Sequence, residues 1–181
     1  KKYHIGGIIF SKGSPVAQAK LTNEFQEAAQ VPLMIAMDAE WGLAMRLDSV
    51  YAFPWNMTLG ALKDNVLVEQ AGKRIAQHCK RLGVHIDFAP DIDINTNPQN
   101  PIIGNRSFGE SKFNVAQKGV AFTKGMQSVG VLACGKHFPG HGDTEKDSHK
   151  TLPTVSFSRE RLESTEFFPF QKLISAGVAS L

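Results

Sequence analysis

Cysteine is scarce in this chain. Only Cys79 and Cys134 occur, far apart and each among apolar neighbours, so buried free thiols are expected rather than a disulfide framework. Long apolar runs are also lacking. No stretch approaches the roughly 20 residues of a membrane-spanning helix, and no basic-then-apolar leader precedes a small-residue cleavage site. The chain opens directly in the strand-like run "KKYHIGGIIF", which leaves any precursor segment undecided. Charge of one sign is not in excess. The net charge is +3, and the lysines and arginines are scattered without a basic run or interleaved aromatics, which argues against a nucleic-acid partner. What is present, 42% apolar and 20% charged residues in 181, suits an ordinary globular domain or part of a larger one.

Two kinds of segment alternate along the chain. Short apolar runs without polar alternation, at 4–10, 31–37, 84–90 and 130–135 with another beginning at 177–181, suit strands buried on both faces of a parallel sheet. Segments of helical spacing lie between them, at 14–29, 64–82, 111–128 and 158–176. Ser111 and Ser158 are expected N-caps, and Gly83, Gly130 and Gly177 stand where a helix stops. Pro169 should kink or split the last helix. Helix-to-strand joins are expected to be one or two residues long. Most strand-to-helix joins are long instead, at 38–63, 91–110 and 136–157. Parallel α/β folds place ligands at the carboxyl ends of their strands, so these three loops mark the working face. The pattern predicts a (β/α)8 barrel, present as about four units and the start of a fifth strand. A doubly wound open sheet is the alternative. It is disfavoured because "FSKGSP", after the first strand, is too short for a Gly-rich phosphate turn.

Polar residues cluster where each long loop leaves its strand. The first loop carries Asp38 and Glu40; the second, Asp91, Asp93 and Arg106; the third, Lys136 and His137, then His141, Asp143, Glu145, Asp147 and His149. Convergence of independent loops on one barrel mouth singles out Asp38, Arg106, Lys136 and His137. A zinc site built on His137, His141 and Asp143 is one reading of the third loop. Against it, Pro139 and Gly140 forbid the helix that makes a four-residue histidine spacing useful, and no His-Glu-x-x-His pattern exists. A phosphate cradle at a helix N-terminus lacks its motif as well. An acid/base device fits better. Asp147 and His149 fall on one side of an extended segment, where the carboxylate can fix the imidazole tautomer and free the other ring nitrogen for proton transfer. A purely local structural hydrogen bond between the two remains open at this point.

"KHFPGHGDTEKDSH" resembles the signature of glycoside hydrolase family 3, in its β-N-acetylglucosaminidase branch, and "DAEWG…MR", "FAPDIDIN" and "IIGNRSFGE" occur in the family's order and spacing. The resemblance implies that Asp38, Arg46, Arg106, Lys136 and His137 hold the hydroxyls of the terminal sugar. It implies His149 as general acid/base paired with Asp147, His141 as a loop-shaping residue and Asp93 as a structural or supporting group. Trp41 and Asp91 depart from the family pattern, which more often has glycine and an apolar residue there. The implied mechanism is retaining, with an aspartate nucleophile on a later strand beyond this chain.

By that resemblance, residues 1–181 are expected to be part of a single N-terminal (β/α)8 catalytic domain, truncated at both ends and without full activity alone. The expected function is removal of terminal non-reducing β-linked N-acetylglucosamine from peptidoglycan fragments or chito-oligosaccharides. The expected partners are that carbohydrate and the remainder of the same enzyme; no cofactor and no metal is called for. A neutral histidine acid would also admit phosphate in place of water as acceptor. A catalytically silent sugar-binding barrel, or a β-glucosidase-type member of the family, is the alternative. The compartment, bacterial periplasm or cytoplasm, is left open.

Overall fold

A computed structural model describes residues 3–143 and 157–181. Four strands, β1 (Gly7–Phe10), β2 (Met34–Met37), β3 (Ile86–Asp87) and β4 (Leu132–Ala133), form one all-parallel sheet in the order β1-β2-β3-β4. Each strand is laid beside its predecessor in a single direction. A doubly wound sheet would instead reverse direction at a switch point, so sequential order is the topology of a barrel wall. The bridge Cys134↔Ser180, with Ser180 N–H donating to Ala133 O (3.2 Å), starts a fifth strand in the same sense. The expected partial (β/α)8 architecture is therefore what the chain adopts.

Helices α1 (Pro15–Ala28), α2 (Asn56–Gly60), α3 (Asn65–Arg81) and α4 (Lys112–Gln127) connect the strands. Ser14 and Asp64 cap α1 and α3 by accepting from Ala17 N (3.2 Å) and Val66 N (2.8 Å). Gly83, Gly130 and Gly177 take positive φ just past the helix ends, as expected. Ser158 accepts from Arg161 N at 3.3 Å, whereas Ser111 occupies the cap position without a side-chain bond. The last helix is split: α5 (Arg159–Arg161) passes through a π turn (Leu162–Glu166) into α6 (Phe167–Ser175). Pro169 has no N–H, and its ring would crowd the carbonyl of Thr165. The wider π turn immediately before it absorbs both conflicts.

Two expectations need correction. β2 starts at Met34 rather than at Val31, and the helix-to-strand joins 29–33, 82–85 and 128–131 are all longer than the expected one or two residues. Burial on both faces holds for Ile35, Met37 and Ala133, but Ile9 is 53% and Met34 45% exposed; β1 is the edge strand of the described sheet. Cys79 and Cys134 are buried free thiols, as expected. The core gathers Ile35, Met37, Ile75, Phe108, Phe122, Met126 and Leu173 between sheet and helices, and full burial of such a side chain contributes about 1.5–3 kcal/mol. Among the described residues no helix is long and apolar enough to cross a membrane.

Candidate active site

Immediately past the strands, on their carboxyl side, the chain places an unbroken ladder of charged side chains. Asp38, one residue beyond β2, accepts from Arg46 Nη2 (2.6 Å) and Lys136 Nζ (2.7 Å). Lys136 also reaches Glu40 Oε1 at 2.8 Å. Glu40 in turn takes a two-pronged bond from Arg106, whose Nε and Nη2 lie 2.9 and 2.7 Å from its two oxygens. Arg106 Nη2 sits 3.0 Å from His137 Nε2, and His137 Nδ1 lies 2.6 Å from Asp93 Oδ2. The three expected loops thus meet through side chains separated by up to 98 positions in sequence.

Local backbone explains how each side chain arrives. Asp38 and Glu40 are two apart just past β2, and both carboxylates reach Lys136 Nζ, at 2.7 and 2.8 Å. Asp87 Oδ1, on β3, accepts from the intervening Ala39 N–H (2.8 Å) and pins that segment. Lys136 is held beside β3 by its N–H to Pro90 O (3.1 Å) and by its carbonyl, which accepts from Ile92 N (2.8 Å). Arg106 ends a short 3-10 turn, Gly104–Arg106, and its carbonyl accepts from Asn56 Nδ2 at 2.8 Å. Asp93 collects three N–H donors from the third loop: His137 N (3.1 Å), the His137 ring, and His141 N (2.6 Å). Asn100 ties the second loop to the third by donating to His141 O (2.8 Å). The glycines of this stretch are needed for approach: a Cβ on Gly142 would meet Ile94 O at 1.8 Å.

Electrostatics follow from burial against pairing. Burial alone would raise the Asp38 and Glu40 carboxyls, yet both lie below the usual range because Lys136 with Arg46, and Arg106 with Lys136, outweigh it. The same partners hold Lys136 and Arg106 above their ordinary values against desolvation. Burial pushes His137 down, so the ring is neutral at pH 7. That agrees with its contacts, since Nδ1–H donates to Asp93 while Nε2 accepts from Arg106. Asp91 is wholly buried; desolvation first, then the charges of Asp93 and Glu40, raise it well above the carboxylate range. Asp93 is raised to about 6, burial outweighing its N–H donors.

Asp87 is pushed by burial to about 7. Its sign has a testable consequence. Between the usual carboxylate range and about 7 the folded protein keeps a proton that the unfolded chain releases, so this group lowers stability as pH rises through that window. Asp87→Asn keeps an oxygen for Ala39 N–H and removes the titration. The variant should gain stability over wild type by a few kcal/mol from pH 4 to pH 8. Melting temperatures across that range check it, and a pH-independent difference would refute it.

The zinc trio His137, His141 and Asp143 is not assembled. Asp143 turns to Arg161 (3.2 Å), and both nitrogens of His137 are engaged. Among the described residues, Glu40, Asp91 and His137 bring ligand-type atoms within 4.8 Å of one another. Arg106 and Lys136 already occupy the Glu40 carboxylate, so a cation entering there would have to displace two permanent charges. Asp147, His149 and Glu145 lie outside the described residues.

Convergence of the loops singles out Asp38, Arg106, Lys136 and His137, and the family resemblance adds Arg46; the structure brings all five side chains together. Sequence reasoning passed over Glu40 as the central acceptor, although the spacing argument used for Asp147 and His149 applies equally to Asp38 and Glu40. It missed Asp87, whose signal was an acid inside the apolar run "VHIDFAP", and Asn100, whose signal was its place before Pro101.

The glycosyl hydrolase family 3 N-terminal domain matches residues 1–181. The chain belongs to this family. Beta-hexosaminidase A of Pseudoalteromonas piscicida is 39% identical to it, over 97% of this chain and 32% of that protein. The family 3 β-N-acetylglucosaminidase of Paenibacillus sp. str. FPU-7 superposes with a TM-score of 0.90 at 45% identity, covering 97% of this chain and 35% of that one. NagZ from Neisseria gonorrhoeae, solved in complex with N-trifluoroacetyl-D-glucosamine, superposes with a TM-score of 0.88 at 32% identity, covering 97% of this chain and 55% of that one. The family 3 chain described here thus spans between a third and about half the length of these relatives.

Proposed function

We propose that the chain is part of a single (β/α)8 catalytic domain of an exo-acting, retaining glycosidase that removes terminal β-linked N-acetylglucosamine from peptidoglycan fragments or chito-oligosaccharides. The observation that carries this reading is the ladder Arg46–Asp38–Lys136–Glu40–Arg106–His137–Asp93. A terminal pyranose is uncharged and ringed by hydroxyls, each both donor and acceptor. Alternating cations and carboxylates along one rim offer such hydroxyls charge-assisted partners of both kinds. Asp38, Arg46 and His137 remain 20%, 30% and 35% exposed in their side chains, and so are available to a ligand. Two fully buried acids hold the surrounding groups: Asp93 positions His137, and Glu40 positions Lys136 and Arg106. The acetamido specificity is supported by the family branch and by the relatives' names rather than by this geometry.

In the mechanism, His149 donates a proton to the leaving oxygen and later takes one from water, with Asp147 holding its tautomer. The nucleophile is a carboxylate supplied beyond this chain. The ladder fixes the sugar so that the anomeric carbon presents one face to each group. The test is turnover of a chromogenic β-N-acetylglucosaminide by the complete protein, by His149→Ala and by Asp147→Ala. Strong loss in both variants is expected. Intact turnover in both would overturn the acid/base assignment. Sugar binding without turnover by the wild type would favour the silent binding barrel.

A further inference from the structure

Asp91 is a fully buried acid that stands against the ladder without belonging to it. Its Oδ2 lies 3.6 Å from Arg106 Nε and 3.8 Å from His137 Nδ1, both beyond hydrogen-bond reach. The other oxygen, Oδ1, accepts from Asp93 N (3.0 Å) and so shapes the turn that carries Asp93. In the neighbouring carboxylates both oxygens are engaged. Asp38 takes Arg46 on one and Lys136 on the other, and Glu40 takes the two prongs of Arg106. Asp93 takes His141 N on Oδ1 and His137 on Oδ2. Among the described residues Asp91 Oδ2 has no such partner.

Hydrogen-bond chemistry then fixes where the protons are. Arginine has donors and no acceptor, so the 3.0 Å contact of Arg106 Nη2 with His137 Nε2 requires that nitrogen to be bare. Nδ1 carries the ring hydrogen toward Asp93, and the imidazole is neutral. The ladder therefore balances three cations, Arg46, Lys136 and Arg106, against three carboxylates, Asp38, Glu40 and Asp93. A charge on Asp91 would be a fourth negative one, buried and unpaired, which is far costlier than holding a proton. Desolvation, with Asp93 and Glu40 nearby, raises this carboxyl in the same sense.

We infer that Asp91 is a positioning residue of the sugar site that works as a neutral acid, keeping His137 bare at Nε2 and Arg106 on Glu40. Stripped of its proton, it would pull Arg106 Nε away from Glu40 and draw a second proton onto His137. Two donors, Nε2–H and Nη2–H, would then confront each other. This rests on the glycosidase reading above and adds a residue to its site.

Asparagine discriminates, because it keeps an oxygen for Asp93 N and is as neutral as the acid, whereas alanine gives up both the turn and the packing. The complete protein is compared as wild type, Asp91→Asn and Asp91→Ala at pH 7, by calorimetric Kd for N-acetylglucosamine and by the 15N shifts of His137. Asp91→Ala should weaken binding about tenfold, and Asp91→Asn should recover most of that with Nδ1 still the protonated nitrogen. The infrared difference between wild type and Asp91→Asn should contain a neutral-carboxyl stretch, to which Asp87, common to both, does not contribute. Unweakened binding in Asp91→Ala, an asparagine variant that binds as weakly as alanine, or no carboxyl stretch overturns the inference. If Asp91→Ala fails to fold, the asparagine variant and the infrared difference decide it. A wild type that binds no N-acetylglucosamine overturns the sugar-binding reading instead. The neutral acid is then decided by the infrared difference with the His137 shifts: the stretch with a protonated Nδ1 in both proteins supports it, and absence of either overturns it.

Discussion

Arg106→Ala is expected to destabilise the protein by about 3–5 kcal/mol, far more than an ordinary surface substitution. Arg106 supplies both donors of the fork on Glu40, whose side chain is fully buried, and lies 3.6 Å from the buried Asp91. Without it Glu40 keeps only Lys136, and the remaining carboxyls of the cluster face two permanent cations, Arg46 and Lys136, rather than three. Lysine is not a conservative replacement, because an ammonium cannot reproduce a planar two-pronged bond. The loss should arise from an orphaned charge, so adding Glu40→Gln to Arg106→Ala should restore part of it. Turnover should fall by about a hundred- to a thousandfold, comparable to removal of one fixed donor from an active site. Urea unfolding of the single and double variants, with kcat/KM in parallel, checks this. A destabilisation under about 1 kcal/mol, or no recovery in the double variant, would refute it.

Removal of Asp93 should be nearly as severe. Its carboxylate accepts from His137 N, the His137 ring and His141 N, all where the second and third loops meet. Alanine leaves three donors without a partner, at about 1–3 kcal/mol for each that is buried. Asparagine fits the space but offers a single acceptor oxygen. Its amide hydrogens would confront either a backbone N–H or the Nδ1–H of His137. The ring could escape only by moving its proton to Nε2, where it would meet Arg106 Nη2 at 3.0 Å. Asp93→Asn should therefore cost several kcal/mol and disturb the His137 tautomer. Imidazole 15N shifts read the tautomer directly: wild type should show a protonated Nδ1. An Asn variant with unchanged shifts and stability within about 0.5 kcal/mol of wild type would count against Asp93 as the anchor.

The positions at which the chain changes character were legible in the sequence. Glycines at 83, 130 and 177, Ser158 at a helix start and Pro169 inside a helical run act within a turn of their own position, and each does in the structure what its local chemistry demands. The strand at 31–37 was less legible. Val31 has strand propensity, but it is 75% exposed and lies outside the sheet, because pairing with β1 begins only at Gly7↔Met34. The short helix α2 inside the first long loop has no periodicity long enough to register.

The candidate site divides along the same line. The residue types at the strand ends, and hence the working face with Asp38, Arg106, Lys136 and His137 on it, follow from sequence, since a strand end is a local property. Which cation takes which carboxylate does not. Glu40 became the shared partner of Lys136 and Arg106, and Asp93 the anchor of His137, through distances set when β2, β3 and β4 align side by side. The buried acids Asp87 and Asp91 show the limit most plainly. Sequence specifies that each is an aspartate; only full burial among neighbours brought in from other strands decides that each holds its proton far above the usual carboxylate range.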